Sequence, residues 1–208
     1  MTRKVAAPTI HDEQGRQSYL NELYRRQELT LLATLEATSS ATLEFSDGID
    51  GRFRTYLFDI NIIPTNDDVG LSVRLSTDNG TTWVSTGSLY SWVAYGRTGD
   101  STIQSNRVST NSLDVIPGAD LGGSRSVGNG ATEGCKFDLE MTYADDSTRF
   151  TEVRALSAGW INAVAKIALE SFQGVYTSTD IVNGVQFYME AGSISTGTIK
   201  MYGKTDRP

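Results

Sequence analysis

Cysteine and histidine are almost absent: the 208-residue chain has one of each, Cys135 and His11. A single cysteine excludes an intrachain disulfide, and one Cys with one His cannot form a tetrahedral nitrogen–sulfur zinc site. A histidine-dependent triad would have to use His11, which lies in an N-terminal arm with nothing to hold it against a nucleophile. Basic residues are in deficit, 18 Lys plus Arg against 25 Asp plus Glu, for a formal net charge of −7. Nucleic-acid binding draws most of its affinity from clustered Lys and Arg on phosphates, so no nucleic-acid partner is expected. No apolar run approaches the roughly 18 residues of a membrane-spanning helix. Met1-Thr2-Arg3-Lys4 is followed only by Val5-Ala6-Ala7 before Pro8, short of a signal peptide's apolar core. Synthesis in a cytoplasm, without membrane insertion, is the expectation. No repeat with a period of about 20–50 residues is present, which disfavours solenoids and propellers.

What is there is an ordinary globular composition, 38% hydrophobic and 21% charged, in a chain long enough to bury about two-thirds of its unfolded surface. Residues 1–36 read as an extended arm leading into a short helix. Thr9-Ile10-His11-Asp12 fits a capping pattern. Leu20, Leu23, Tyr24, Gln27, Leu31 and Leu35 then recur at spacings of three and four, on one stripe. That stripe either packs on its own domain or meets other copies as an assembly helix; about two heptads, interrupted by Gln27, make a weak coiled-coil signal.

From about residue 37 to 208 the period falls to two. Tyr56, Phe58, Ile60 and Ile62 alternate with other residues to form one buried face; Val69, Leu71, Val73 and Leu75 form another. Cys135, Phe137, Leu139 and Met141, then Val185, Phe187 and Met189, then Ile199 and Met201, repeat the pattern. Asp47-Gly48, Asp78-Asn79-Gly80, Pro117-Gly118 and Asn183-Gly184 supply turn chemistry. About eleven strands and one helix give an all-β main domain, an antiparallel β-sandwich. Residues 97–134, rich in Gly, Ser, Asn and Asp, read as long surface loops with Leu113-Asp114-Val115-Ile116 as their one good strand.

No constellation of residues points to catalysis or to a cofactor. Cys135 opens an alternating strand and is read as a core residue rather than a nucleophile. Asp47-Gly48-Ile49-Asp50, Asn66-Asp67-Asp68 and Asp145-Asp146 put carboxylates on turns, but none has calcium-loop spacing. Gly128-Asn129-Gly130 precedes a strand, whereas a dinucleotide fingerprint follows one and opens a helix. Trp83, Tyr90, Trp92 and Tyr95 cluster within thirteen positions, with Tyr90 and Trp92 on one strand face. Such rings serve as core, as a subunit interface, or as platforms that stack on sugar.

Asn183-Gly184-Val185-Gln186-Phe187-Tyr188-Met189-Glu190-Ala191-Gly192-Ser193-Ile194-Ser195-Thr196-Gly197-Thr198-Ile199-Lys200-Met201-Tyr202-Gly203 resembles the closing hairpin of a family of tailed-bacteriophage virion proteins. Tyr56-Leu57-Phe58-Asp59-Ile60, the Pro64–Asp67 turn, Leu71–Gly80 and Ser126–Gly130 look like the same family's front and middle. The resemblance spans about residues 52–203. It implies a jelly-roll-like sandwich used as a multimeric tail-fibre or minor structural protein of the virion, with a homotrimer, other tail or capsid proteins and host surface glycan as expected partners. It carries over no catalytic residue and no cofactor. A capsid decoration or cement protein, and a glycan-binding module, are the alternative readings.

Overall fold

The computed structural model describes residues 29–84, 89–97, 104–110, 112–116, 127–130, 133–161 and 166–205. Among them there is no helix, and twelve strands carry the fold. These are β1 (Leu29–Ser40), β2 (Thr42–Phe45), β3 (Thr55–Pro64), β4 (Leu71–Ser76), β5 (Leu89–Arg97), β6 (Gln104–Thr110), β7 (Leu113–Ile116), β8 (Gly134–Thr142), β9 (Thr151–Ile161), β10 (Lys166–Tyr176), β11 (Gly184–Met189) and β12 (Ile194–Lys204). They form an eight-stranded sheet, β1-β12-β3-β8-β9-β10-β5-β6, and a four-stranded sheet, β2-β11-β4-β7, with every ladder antiparallel.

Inside that order lies a jelly roll. The quartets β1-β12-β3-β8 and β2-β11-β4-β7 are its two facing sheets, with the chain crossing between them in the double Greek-key sequence. The other four strands are two insertions, β5–β6 between β4 and β7 and β9–β10 between β8 and β11. Both add to the same sheet, beyond β8.

The alternating faces read from the sequence meet between the sheets. Tyr56, Phe58, Ile60, Leu139, Ile199 and Met201 from the large sheet oppose Leu71, Val73, Leu75 and Phe187 from the small one, each at 0% exposure. Phe45, Phe58 and Phe187 pack edge to face, with centroids 5.4–6.2 Å apart, the arrangement that ring quadrupoles favour. Cys135 is buried in the same layer. Tyr56 brings a hydroxyl into this core, and its oxygen accepts hydrogen bonds from the backbone N–H of Asp50 (3.1 Å) and Gly51 (3.3 Å). Burial pushes its pKa up, while those two N–H groups pull against the shift.

Several glycines mark close approaches. Gly197, at φ +122°, would place a Cβ 2.2 Å from the carbonyl oxygen of Asn61, and Gly134, at φ +105°, would place one 2.6 Å from that of Ile62. The strands on either side of β3 therefore press against its end where only glycine fits. Gly203 is different: its φ is not positive, but the Phe53 ring lies over it, and a Cβ would come within 2.3 Å of the ring.

Two expectations are corrected. Leu31 and Leu35, read as helical, belong to β1; the sandwich therefore includes residues from Leu29 rather than from residue 37. A register shift between Leu31 and Ala33 explains the misleading spacing. Leu29 and Leu31 are exposed, whereas Leu32, Ala33 and Leu35 pack against the core, so a bulge reverses the strand's phase and mimics a helical period. Leu20, Leu23 and Tyr24 lie outside the described residues. The second correction is β6, within a stretch read as loop. Gln104–Thr110 holds one aliphatic residue, Val108, and is a strand through its ladder to β5.

Candidate functional site

The insertions place one polar-rimmed depression on the outer surface of the large sheet. On β5, Leu89 and Ser91 are buried, Tyr90 is half-buried and Trp92 is exposed at 46%, so Tyr90 and Trp92 share the outward face. The ladder sets Tyr90 beside Val175 and Glu152, and Trp92 beside Gln173 and Arg154. Tyr90, Trp92, Gln173, Val175 and Glu152 line a hollow of about 280 Å³ over Ser91 and Gly174. Gly174 is narrow by necessity, since a Cβ there would sit 2.8 Å from Leu113 of the facing sheet.

The polar groups at this hollow differ in their engagements. Arg154 is committed to Glu140, with Nη2 donating to Oε2 at 3.0 Å. Glu152 and Gln173 are exposed, and their side chains make no hydrogen bond or ion pair among the described residues. Two stacking surfaces thus stand beside a carboxylate and an amide that have donor and acceptor capacity to spare.

Of the aromatic cluster read from the sequence, Tyr90 and Trp92 come together at this hollow. Trp83 does not join them: it is half-buried beyond β4, against the turn at Gly80, where a Cβ would lie 3.4 Å from its ring. The backbone of Tyr95 pairs with Glu170 and Gln104, and its side chain lies outside the described set. Sequence reasoning missed Glu152, Gln173 and Val175. They lie some 60–85 positions from the aromatics, and only the pairing of the two insertions brings them close.

The acidic turns serve their own loops. Asp47 accepts from Gly48 N–H at 2.7 Å, Asp50 from the Arg52 Nε at 2.9 Å, and Asp146 from the Thr148 hydroxyl at 2.6 Å. These bonds hold the Asp50 and Asp146 carboxyls below their usual pKa range; the largest causes are the Arg52 and Thr148 side chains respectively. Asp78 behaves alike: the Thr82 N–H and hydroxyl and the Ser76 hydroxyl depress its pKa. No group of three His, Cys, Asp or Glu able to hold a metal occurs among the described residues. Asp59 and Asp138 face each other across β3 and β8, and desolvation, then the Asp59 charge, raise the Asp138 pKa against the pull of Lys136.

The remaining surface of note is the side of β1 away from β12, which has no ladder partner among the described residues. This twelve-residue edge strand has no proline, one charged residue (Glu36), and Leu29 and Leu31 exposed at 47% and 54%. Comparison with family models, with curated proteins and with solved structures finds no match to this chain.

Proposed function

We propose that this chain is a non-enzymatic structural protein of a tailed-bacteriophage particle. In this reading it is a tail fibre or fibre-like tail component, assembled as a homotrimer, anchored through its N-terminal segment and presenting the jelly roll to the host. The observation that carries the reading is the jelly roll with β1 at the sheet edge, unpaired on one side among the described residues, directly after residues 1–28. Natural sheets blunt a long apolar edge with charge, proline or a cover. β1 has a bulge and one glutamate, which suits a strand that is covered on assembly. The topology belongs to an architecture that recurs in viral coats and lectins, an analogy of fold alone. The resemblance of the Asn183–Gly203 hairpin to virion proteins supplies the particle, and the acidic surface suits a component that stays soluble until it assembles.

The test is immunogold electron microscopy of particles with an antibody to the β domain, together with particles made with residues 1–28 deleted. Because β1 begins at Leu29, that deletion spares the sandwich. Label at the tail and loss of the truncated protein from particles support the reading. Label over the head makes the protein a capsid decoration or cement protein instead. Normal incorporation of the truncated chain overturns the anchor.

A further inference from the structure

We propose that the hollow between Tyr90, Trp92, Gln173 and Glu152 is a binding site for a neutral pyranose ring. Tyr90 and Trp92 stand two residues apart on one strand, about 6.6–6.8 Å along it, and offer adjoining apolar faces of low conformational entropy. A sugar ring presents an apolar C–H face ringed by hydroxyls, so it needs a flat aromatic surface with hydrogen-bonding groups at its edge. Glu152 and Gln173 supply these: a carboxylate accepts from hydroxyls, and an amide both donates and accepts. Neither group has a competing partner among the described residues.

Size and charge select the ligand class. A hollow of about 280 Å³ sits near the small end of ligand clefts, about 300 Å³, which suits one or two rings. A stable protein interface needs about 800 Å² per partner, and among the described side chains the apolar surface here is that of Trp92, Tyr90 and Val175, with polar Gln173, Glu152 and Arg154 beside them. The carboxylate of Glu152 stands at the rim of a chain with net charge −7, and Arg154, the guanidinium beside it among the described side chains, is held by Glu140. An acidic sugar would meet the Glu152 carboxylate, whereas a neutral one meets no such repulsion.

This site stands on the geometry of the chain and does not need the particle assignment. The experiment is saturation-transfer NMR on the full chain with lactose, cellobiose and mannobiose at about 10 mM, in reach of a millimolar Kd, with a sialylated lactose as the acidic control. Expected is transfer to ring C–H protons of at least one neutral disaccharide. Trp92→Ala and Gln173→Ala should each weaken it, the tryptophan change by about tenfold or more. Both side chains are exposed, so thermal midpoints should stay within about 2 °C; should Trp92→Ala unfold the chain, Gln173→Ala alone decides. Silence from all three neutral sugars, binding confined to the sialylated one, or transfer that survives the Gln173→Ala change overturns the proposal. So does an oligomer of the wild-type chain that Trp92→Ala dissociates, which would make the hollow a protein interface. Sugar binding by a chain absent from particles would leave this site standing and sink only the particle reading.

Discussion

Replacing Gly203 by alanine should destabilise the protein, although the usual sign of such a change is the opposite. Gly203 lies in β12 without a positive φ, so an alanine fits the backbone. Fewer unfolded conformations would then add about 0.4–1 kcal/mol of stability. The Phe53 ring reverses this, because the new Cβ would meet three ring carbons at 2.3–2.6 Å. Phe53 is pinned edge to face on Tyr56 at 6.2 Å, with the Arg52 guanidinium 5.9 Å from its centroid, so the ring has to leave a packed position. Overpacking of this kind costs about 1–3 kcal/mol. The net loss is then about 1–2 kcal/mol, or a fall in Tm of roughly 2–8 °C for a domain of this size. Calorimetry on Gly203→Ala, Phe53→Ala and the double variant measures both the loss and its origin. With the ring gone, alanine at 203 should become neutral or stabilising. A rise in Tm for Gly203→Ala alone, or effects that add within about 0.5 kcal/mol across the cycle, would refute the reasoning.

Tyr56→Phe keeps the buried ring but strips the acceptor from two N–H groups, and should lower stability by about 1–2 kcal/mol in urea denaturation without changing the slope. Asp138→Asn and Asp78→Asn should move Tm in opposite directions at neutral pH. The fold raises the Asp138 pKa, so its ionised form costs stability above that pKa, and asparagine should gain there and lose its advantage in acid. The fold lowers the Asp78 pKa, so its contribution is present above the ordinary carboxylate range and disappears as pH falls; melts of Asp78→Asn at pH 7 and in acid should show a deficit that closes. Leu31→Lys places a charge on the exposed part of β1 and should leave the melt of the monomer within about 0.5 kcal/mol. Any self-association of the wild type through this edge, read by analytical ultracentrifugation, should be abolished.

The sandwich was legible where one face of a strand is buried and the other wet. β3, β8 and β12 show this: every residue of the alternating sets Tyr56–Ile62, Cys135–Met141 and Ile199–Met201 is buried. The turns at Asp78-Asn79-Gly80 and Asn183-Gly184 were legible from chemistry, and they prove to be joined: Asn183 Oδ1 accepts from Asn79 N–H at 2.7 Å, and its amide donates to the Thr77 carbonyl. β1 was not legible because its bulge breaks the period that identifies a strand. β6 was not because Gln104–Thr110 carries a single aliphatic residue, Val108, and so no apolar alternation marks it; its ladder to β5 does. At the candidate site the sequence marked the two rings on β5, since they share one strand. It was silent about Glu152 and Gln173, whose nearness depends on how the insertions pair and on nothing local.

The position of β12 also governs when this chain can fold. β12 lies between β1 and β3 in the sheet, yet a ribosome makes Ile194 only long after Pro64. At about 5–20 residues per second the interval is on the order of ten seconds. Throughout it β1 lacks the one ladder partner it has among the described residues, and β3 lacks its neighbour on that side. The apolar faces of both therefore stay available to chaperones and to other nascent chains. Such late, non-local closure makes for slow folding. The yield of native protein should accordingly depend on holding the first third of the chain soluble until its last strand emerges.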